Sequence, residues 1–488
     1  MKRPLTMRQS ARPHASVEAG QRKPVRGGST GGPASGFAQS QDQFRQLVED
    51  SLAQARKLGA SDASVEVSEG VGLSVSVRKG ELENVERNRD KSLSISLYLG
   101  QRRGNANTSD FSRQGIEQTV QAAYDIARFT AEDPAAGLPD EADLAKGDEL
   151  TRDLDLFHPW AIDASGAAEL SKRCERSALD TDPRITNSEG AGVSAQQSHF
   201  FAGNSRGCRG GFASSRHSIS VAPIASLPGR NGDDMQRDAW YSSMRSADEL
   251  ASPETVGRYA AERALSRLKS RKIKTCEVPV LFESTLAAGL LGGYVQATSG
   301  GSLYRKSSFL LDSLGQQVLP GHVDIVEEPH LLRGKGSAPF DDEGVLTKPR
   351  TVVDGGVVKG YFLSSYSARK LGMKTTGNAG GSQNLSMSSR ETQADDDLEA
   401  MLRKLHRGLF VIELMGQGVN YVTGDYSRGA AGFWVENGRI SFPVHEVTIA
   451  GNLRQMLRNI QAIGADRYTS GAKTVGSVLL ETMKIAGS

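Results

Sequence analysis

Apolar side chains recur along this chain with two different periods, and each change of period marks a new element. A spacing of three to four residues predicts helices. These helices cover residues 41–58, 113–129, 164–180, 253–268, 396–406 and 452–460. Alternation with a period of two predicts strands at 64–67, 73–77, 82–87 and 93–99, and again at 185–193, 197–202, 218–223 and 235–241. At 93–99, Leu and Ile alternate with Ser and Tyr, which indicates antiparallel sheets with one solvated face.

The last part of the chain is predicted to be rich in strands. The dipeptides Asp354-Gly355 and Asn437-Gly438 each stand between apolar runs, and such residues favour the positive φ angles of two-residue hairpin turns. We therefore predict an α+β protein, with antiparallel sheets and covering helices in its N-terminal part and a mostly β, barrel-like C-terminal domain.

A chain of 488 residues is too long for one hydrophobic core and is expected to divide into domains. Composition and element pattern predict a disordered basic head at 1–40, an N-terminal α+β domain at 41–138, a middle α+β domain at 139–272 and a β-rich C-terminal domain at 273–488.

One predicted helix is unusual because it is almost bare of side chains. It follows a strand at 278–282, has Ser284 or Thr285 as its predicted N-cap, and includes Gly289, Gly292 and Gly293. A glycine costs about 1 kcal/mol relative to alanine in a helix interior, so this many glycines require a packing or functional reason. A second chain segment can approach such a helix closely.

Charge is distributed unevenly along the chain. Residues 1–40 hold seven Lys and Arg residues and one Glu, whereas the remainder has a net charge of −4 and gives no basis for nucleic-acid binding. The sequence has neither an apolar run that could cross a bilayer nor a secretory signal, so we expect a cytoplasmic protein with no membrane partner. The Arg-rich head leaves a targeting peptide as an alternative, although its prolines and glycines oppose an amphipathic helix.

No recognised set of metal ligands appears in the sequence. Of the eight histidines, His322 and His330 come nearest to a metal-binding spacing, around two glutamates, but they lie in a Gly- and Pro-rich segment that is typical of a solvated loop. The acidic run Asp341-Asp342-Glu343 is more typical of a surface turn than of a cation site.

Cys208 is the candidate nucleophile. It lies between Arg206 and Arg209 in a glycine-rich loop, and nearby cations can lower the pKa of a thiol. His199 and His217 flank it in sequence, yet nothing in the sequence places a base within reach. A loop with an incidental thiol is the simpler interpretation.

Several motifs resemble the TldD/PmbA peptidase family. Those shared with the family as a whole are Phe340–Gly344, Gly360–Leu363, Ala368–Met373 and Thr375–Gly381. Two more, Gly424–Trp434 and Pro443–Leu453, resemble its PmbA branch, also called TldE. The similarity spans about residues 41–488.

This resemblance implies a cytoplasmic, zinc-dependent metallopeptidase, a heterodimer of two related subunits that cleaves unfolded peptides. In the TldD-type subunit, an H-E-x-x-x-H helix and a later Cys hold the zinc. The corresponding positions here run from Glu283 to Ala288, so Glu283 and Ala288 replace the two ligands and Ser284 replaces the general base. The resemblance thus implies a chain with no catalytic residue and no metal, whose TldD-type partner carries the zinc.

Contacts with the peptide channel or the partner are predicted at five positions, which are Gly289, Gly292, Gly293, Gly377 and Asn378. Two other functions are left open. One is a stand-alone peptidase that uses Cys208 or an unconventional metal site. The other is a non-enzymatic regulatory interaction module, which the basic head would serve.

Overall fold

The computed structural model describes residues 36–228 and 234–487. The chain forms two compact units. Within the described residues, the N-terminal unit contains 36–265 together with Glu343–Leu346, and the C-terminal unit contains Ser266–Asp342 and 347–487. The predicted basic head lies outside the described residues apart from 36–40. No helix in these ranges has the length and apolar content that a membrane crossing requires.

The N-terminal unit combines a large sheet with helices that begin at capping side chains. Ser40, Ser112 and Asp163 each accept a hydrogen bond from a backbone N–H in the first turn of the helix that follows. The helices are α1 (Gln41–Lys57), α2 (Arg113–Phe129), α3 (Ala164–Leu179) and α4 (Pro253–Ser266). The strands are β1 (Asp62–Arg78), β2 (Glu81–Leu99), β3 (Arg102–Thr108), β4 (Ile185–Asn204), β5 (Arg209–Gly210), β6 (Ala213–Leu227), β7 (Asp234–Arg237) and β8 (Trp240–Met244).

These strands form one antiparallel sheet in the order β3-β2-β1-β4-β6-β7, with β5 on β4 and β8 on β6. Helices α1 and α2 cover one end of a sheet face, where Phe44 and Val120 join a core with Val65, Val67 and Leu93. Helix α3 contacts β1, β4 and β6, and its Glu175 carboxylate accepts hydrogen bonds from the backbone of the β1–β2 turn. The middle of this face therefore lies between α1 and α2 at one end of the sheet and α3 at the other.

The strands of this sheet are longer than the sequence indicated. The predicted pairs 64–67 with 73–77 and 82–87 with 93–99 are single strands of 17 and 19 residues, β1 and β2, and β4 likewise spans two predicted strands. The apolar alternation lapses over 68–72, but the backbone there pairs on both sides, since Gly70 is opposite Asp90 and Ser198. Backbone pairing, rather than side-chain pattern, sets these lengths.

The C-terminal unit contains the remaining helices and strands. The helices are α5 (Ser284–Ala297), α6 (Gly300–Tyr304), α7 (Ser365–Leu371), α8 (Leu398–Leu405) and α9 (Leu453–Arg458). The strands are β9 (Cys276–Phe282), β10 (Val323–Glu327), β11 (Arg350–Asp354), β12 (Val357–Val358), β13 (Leu385–Ser389), β14 (Gly408–Met415), β15 (Asp425–Glu436), β16 (Arg439–Asn452), β17 (Ile460–Ile463), β18 (Tyr468–Ser470), β19 (Lys473–Val475) and β20 (Val478–Ala486).

Five of these strands close into a barrel. They follow the order β16-β15-β14-β9-β20, and β20 pairs again with β16. A second sheet has the order β12-β11-β10-β13-β19-β18. Pairing is antiparallel except between β14 and β9 and between β13 and β19. The predicted α+β class with a barrel-like C-terminal part is confirmed.

The two predicted hairpins are present, one of them shifted by a residue. Asn437 and Gly438 form the turn between β15 and β16, with φ angles of 51° and 70°. Between β11 and β12, Asp354 is still paired, and the turn consists of Gly355 and Gly356, with φ angles of 53° and 79°. Glycine accepts positive φ without steric cost, so the turn forms at the two glycines, one position later than predicted.

The predicted domain limits stay predictions. Strand β2 belongs to the predicted N-terminal domain and β4 to the predicted middle domain, yet both lie in one sheet of one unit. The predicted boundary at 272/273 lies a few residues after the start of the C-terminal unit at Ser266.

Candidate functional site

Helix α5 is the central packing element of the C-terminal unit. It follows β9 directly, as the sequence predicted, and contacts β14 of the barrel and β18 and β19 of the second sheet. Its inner side chains, including Ala287, Leu291 and Tyr294, are fully buried in the largest core cluster of the unit. The position of α5 is therefore fixed by apolar packing on both sides.

The three positions that correspond to a metal motif lie at the start of α5. Glu283 is the N-cap residue and is 4% exposed, and its carboxylate accepts a hydrogen bond from the Thr285 hydroxyl at 2.7 Å. Ser284 and Ala288 are also buried. A catalytic zinc requires three protein ligands and a base, and one carboxylate, one hydroxyl and one methyl group do not supply them. These residues do not fit a catalytic zinc ion.

No group of three His, Cys, Asp or Glu side chains in residues 36–228 and 234–487 is arranged to hold a metal ion. His322 contacts the Ser389 hydroxyl at 2.8 Å, whereas His330 contacts the Thr347 hydroxyl at 3.0 Å. Asp341 accepts a hydrogen bond from the Ala379 N–H at 2.9 Å. The absence of a metal from this chain stays a prediction.

The glycines of α5 serve two different purposes. A Cβ added at Gly289 would meet no atom within 4 Å, and one at Gly292 would meet Lys473 Cε at 3.8 Å. Gly293 is buried, and its added Cβ would lie 3.5 Å from the Leu453 side chain of α9. Gly293 therefore permits packing within the unit, while Gly289 and Gly292 leave an open strip of helix backbone.

A small cavity of about 50 Å³ lies beside this strip, which is room for one or two water molecules rather than a peptide side chain. Two polar side chains of β15 reach it. Burial raises the pKa of Tyr426 to about 12. Arg428 Nε is buried and has no hydrogen-bond partner within the part of the chain that the structure describes. The remaining lining is mostly apolar and includes Leu286, Gly289 and Leu453.

The other two predicted channel residues, Gly377 and Asn378, lie in a buried polar network. Asn378 Nδ2 donates to Glu327 Oε1 at 3.0 Å, and Arg350 Nη2 donates to Asn378 Oδ1 at 3.0 Å. The Gly377 carbonyl accepts from Gln383 Nε2 at 3.0 Å. Asn378 is 5% exposed, so its amide holds the loop and does not face solvent.

The ion pair in that network was not found from the sequence. Arg350 Nε lies 2.7 Å from Glu327 Oε2, and Glu327 is 1% exposed. Arg350 also lies over the Phe362 ring, 5.0 Å from its centroid. Glu327 and Arg350 belong to different strands, β10 and β11, so sequence spacing gives no signal for their contact.

Cys208 is a buried thiol in the N-terminal unit. It is 5% exposed, and its Sγ lies 3.9 Å from the Gly344 carbonyl oxygen. His199 Nε2 lies 3.4 Å from Glu69 Oε2, and His217 Nε2 donates to the His158 carbonyl at 2.8 Å. Both histidines that flank the cysteine in sequence are thus held by other groups.

Comparison with known proteins gives the same family along most of the chain. Models of the PmbA/TldA metallopeptidase match residues 63–127 as domain 1, residues 157–268 as the central domain and residues 275–487 as the C-terminal domain. Metalloprotease PmbA of Escherichia coli O157:H7 is 50% identical over 446 residues, which cover 91% of this chain and 97% of that protein.

Two solved structures share the fold. A proposed modulator of DNA gyrase from Bacteroides thetaiotaomicron is 27% identical, with a TM-score of 0.84 over 92% of this chain and 99% of that one. TldE from Thermococcus kodakarensis superposes with a TM-score of 0.76 at 18% identity, over 90% of this chain and 100% of that one. The domain matches and the 50% identity to Metalloprotease PmbA show that the chain belongs to the PmbA/TldD metallopeptidase family, in its PmbA (TldE) branch.

Proposed function

We propose that this chain is the metal-free subunit of a zinc-dependent peptidase, and that a TldD-type partner supplies the zinc and the general base. The observation that carries the proposal is the set of side chains at the start of α5, where Glu283, Ser284 and Ala288 offer one carboxylate but no imidazole or thiolate. The family supports peptide hydrolysis, and this site cannot activate water by itself.

In this proposal the chain shapes the substrate cavity instead of performing the chemistry. The open strip at Gly289 and Gly292 allows a backbone to approach α5 closely, since an added Cβ would meet nothing within 4 Å at Gly289 and only Lys473 Cε, at 3.8 Å, at Gly292. An unfolded peptide or a segment of the partner fits such a surface, because main-chain contacts give affinity with little demand on sequence. Gly377 and Asn378 would act indirectly, through the loop that their network holds.

The proposed substrates are therefore unfolded peptides, including leader segments of peptide precursors, and the proposed assembly is a heterodimer in the cytoplasm. The partner would contribute the zinc-bound water. This chain would contribute a wall that excludes solvent and holds the peptide extended.

The experiment that tests the proposal compares the chain alone, a TldD-type subunit alone and the two together. Each sample is assayed for cleavage of an unstructured peptide, with and without a chelator. We expect cleavage by the combined subunits that the chelator abolishes and added zinc restores. Chelator-resistant cleavage by the lone chain would refute the proposal and favour a nucleophile such as Cys208, which Cys208→Ala would then remove.

A further inference from the structure

A second cavity, of about 350 Å³, opens on the sheet of the N-terminal unit. Its volume is within the range of small-ligand sites. We call it the arginine pocket. Its lining residues are Val71, Gly72, Leu73, Arg87, Asn88, Arg89, Trp160, Ile162, Ala195, Gln197 and His217.

Strand pairing explains how these residues meet. Arg87 on β2 is opposite Leu73 on β1, Leu73 is opposite Ala195 on β4, and Ala195 is opposite His217 on β6. Paired residues in adjacent strands point to the same face of a sheet, so the row crosses four strands. Three spacings of about 4.8 Å make this row about 14 Å long. It crosses the middle of the sheet face, between α1 and α2 at one end and α3 at the other.

The charge of the pocket is positive. Its two ionised side chains are Arg87 and Arg89, and its lining contains no carboxylate. The nearest buried acid, Glu69, lies 3.8 Å from Arg89 Nε and also accepts hydrogen bonds from the Ala38 and Gln39 N–H groups. Arg89 is therefore partly neutralised. The Arg87 side chain is exposed, and its guanidinium has no ion-pair or hydrogen-bond partner within the described ranges.

The opposite wall is aromatic and uncharged. Trp160 lies edge-on to His217, with ring centroids 5.4 Å apart. His217 Nε2 donates to the His158 carbonyl, and burial lowers the pKa of this imidazole, which keeps it neutral at pH 7. Leu73 and Ile162 add apolar surface. The pocket thus has a cationic end and an apolar end.

We propose that the arginine pocket binds a carboxylate ligand, with the anionic group at Arg87 and Arg89 and an apolar or aromatic body against Trp160. Arginine presents a rigid fork of donors that matches a carboxylate in two parallel hydrogen bonds. A row of about 14 Å accommodates an extended chain of about four residues. The carboxylate therefore belongs either to a peptide C-terminus or to a free aromatic acid, and both share the same recognition chemistry.

This site is independent of the proposed zinc partnership, because it lies within one unit and requires no metal. The test uses the full chain and isothermal calorimetry with three probes. They are acetylated alanyl-alanyl-phenylalanine with a free carboxylate, the same peptide as its C-terminal amide, and 3-phenylpropionate. We expect the acid to bind at least about tenfold more tightly than the amide, because a charge-assisted hydrogen bond contributes that much.

The variants separate the pocket from general surface charge. Arg87→Gln is expected to weaken binding of the acid about tenfold and to leave the amide unchanged. Arg113→Gln is the matched control, because Arg113 is 92% exposed and lies on α2, outside the pocket. Trp160→Phe is expected to remove the ligand-induced change in fluorescence, since Trp240 and Trp434 are buried.

Equal binding of acid and amide, an Arg87→Gln variant that binds like the control, or no saturable binding of the acid would overturn the proposal. Tighter binding of the peptide acid than of 3-phenylpropionate would assign the pocket to peptide C-termini. Equal binding of the two acids would assign it to free aromatic acids. Both assignments support carboxylate recognition.

Discussion

The change Asn378→Ala tests whether the buried network holds the C-terminal unit together. It removes the donor to Glu327 and the acceptor for Arg350, each at 3.0 Å. A hydrogen bond to a charged group contributes about 1.5–3 kcal/mol, so the two losses lower the free energy of unfolding by about 3–6 kcal/mol. Glu327 keeps its 2.7 Å contact with Arg350, which limits the loss.

Urea unfolding, followed by the fluorescence of Trp434, measures this change in the C-terminal unit. A background of Trp160→Phe and Trp240→Phe leaves Trp434 as the one reporter among the chain's three tryptophans. With an m-value of about 3 kcal/mol per M, the midpoint is expected to fall by about 1–2 M urea. Asn378→Asp should lose as much, because it keeps the volume but places an oxygen opposite Glu327 Oε1.

The control is Asn459→Ala, at the C-cap of α9, where the residue is half-buried. It is expected to change the free energy of unfolding by less than about 0.5 kcal/mol. A similarly small effect of Asn378→Ala would show that the buried network contributes little to the stability of the C-terminal unit.

Four further predictions concern two glycines and a histidine. Gly432→Ala should lower the melting temperature, because its Cβ would lie 1.9 Å from the Phe410 carbonyl oxygen and overpacking costs about 1–3 kcal/mol. In contrast, Gly289→Ala should stabilise α5 by about 0.5–1 kcal/mol, since the added Cβ meets nothing within 4 Å. Gly289→Leu should leave stability near that of Ala122→Leu, an exposed control on α2, yet reduce peptide cleavage by the two-subunit complex; unchanged cleavage would contradict a functional role for the open strip. Burial lowers the pKa of His217 below 6.5, so the unfolded state takes up the proton first. The contribution of neutral His217 to stability is therefore complete above about pH 6.5 and is lost on acidification. The variant His217→Gln should reduce the fall in urea midpoint between about pH 7.5 and about pH 5.5.

Local signals were enough to predict several elements. Helix α2 begins and ends where the sequence predicted, because its cap at Ser112 and its apolar spacing are both encoded within one short segment. The succession of β9 and α5 was predicted from one short segment, since a buried strand leads directly into the helix, but the N-cap is Glu283 rather than Ser284 or Thr285. The turn at Asn437-Gly438 depends on two residues alone.

Features that depend on distant pairing could not be predicted. The full lengths of β1 and β2 follow from neighbouring strands, because residues 68–72 show no apolar alternation of their own. Asn378 and Glu327 are 51 positions apart in the chain, so local sequence patterns could not predict that Asn378 is buried. Arg87 and Trp160 likewise share a pocket only after four strands have paired.

The most direct test of the central claim is the zinc content of the purified chain, alone and after co-purification with a TldD-type subunit. We expect no stoichiometric zinc in the lone chain and zinc in the complex that is lost when the partner's ligands are changed. Stoichiometric zinc in the lone chain, released by Glu283→Gln, would contradict this expectation.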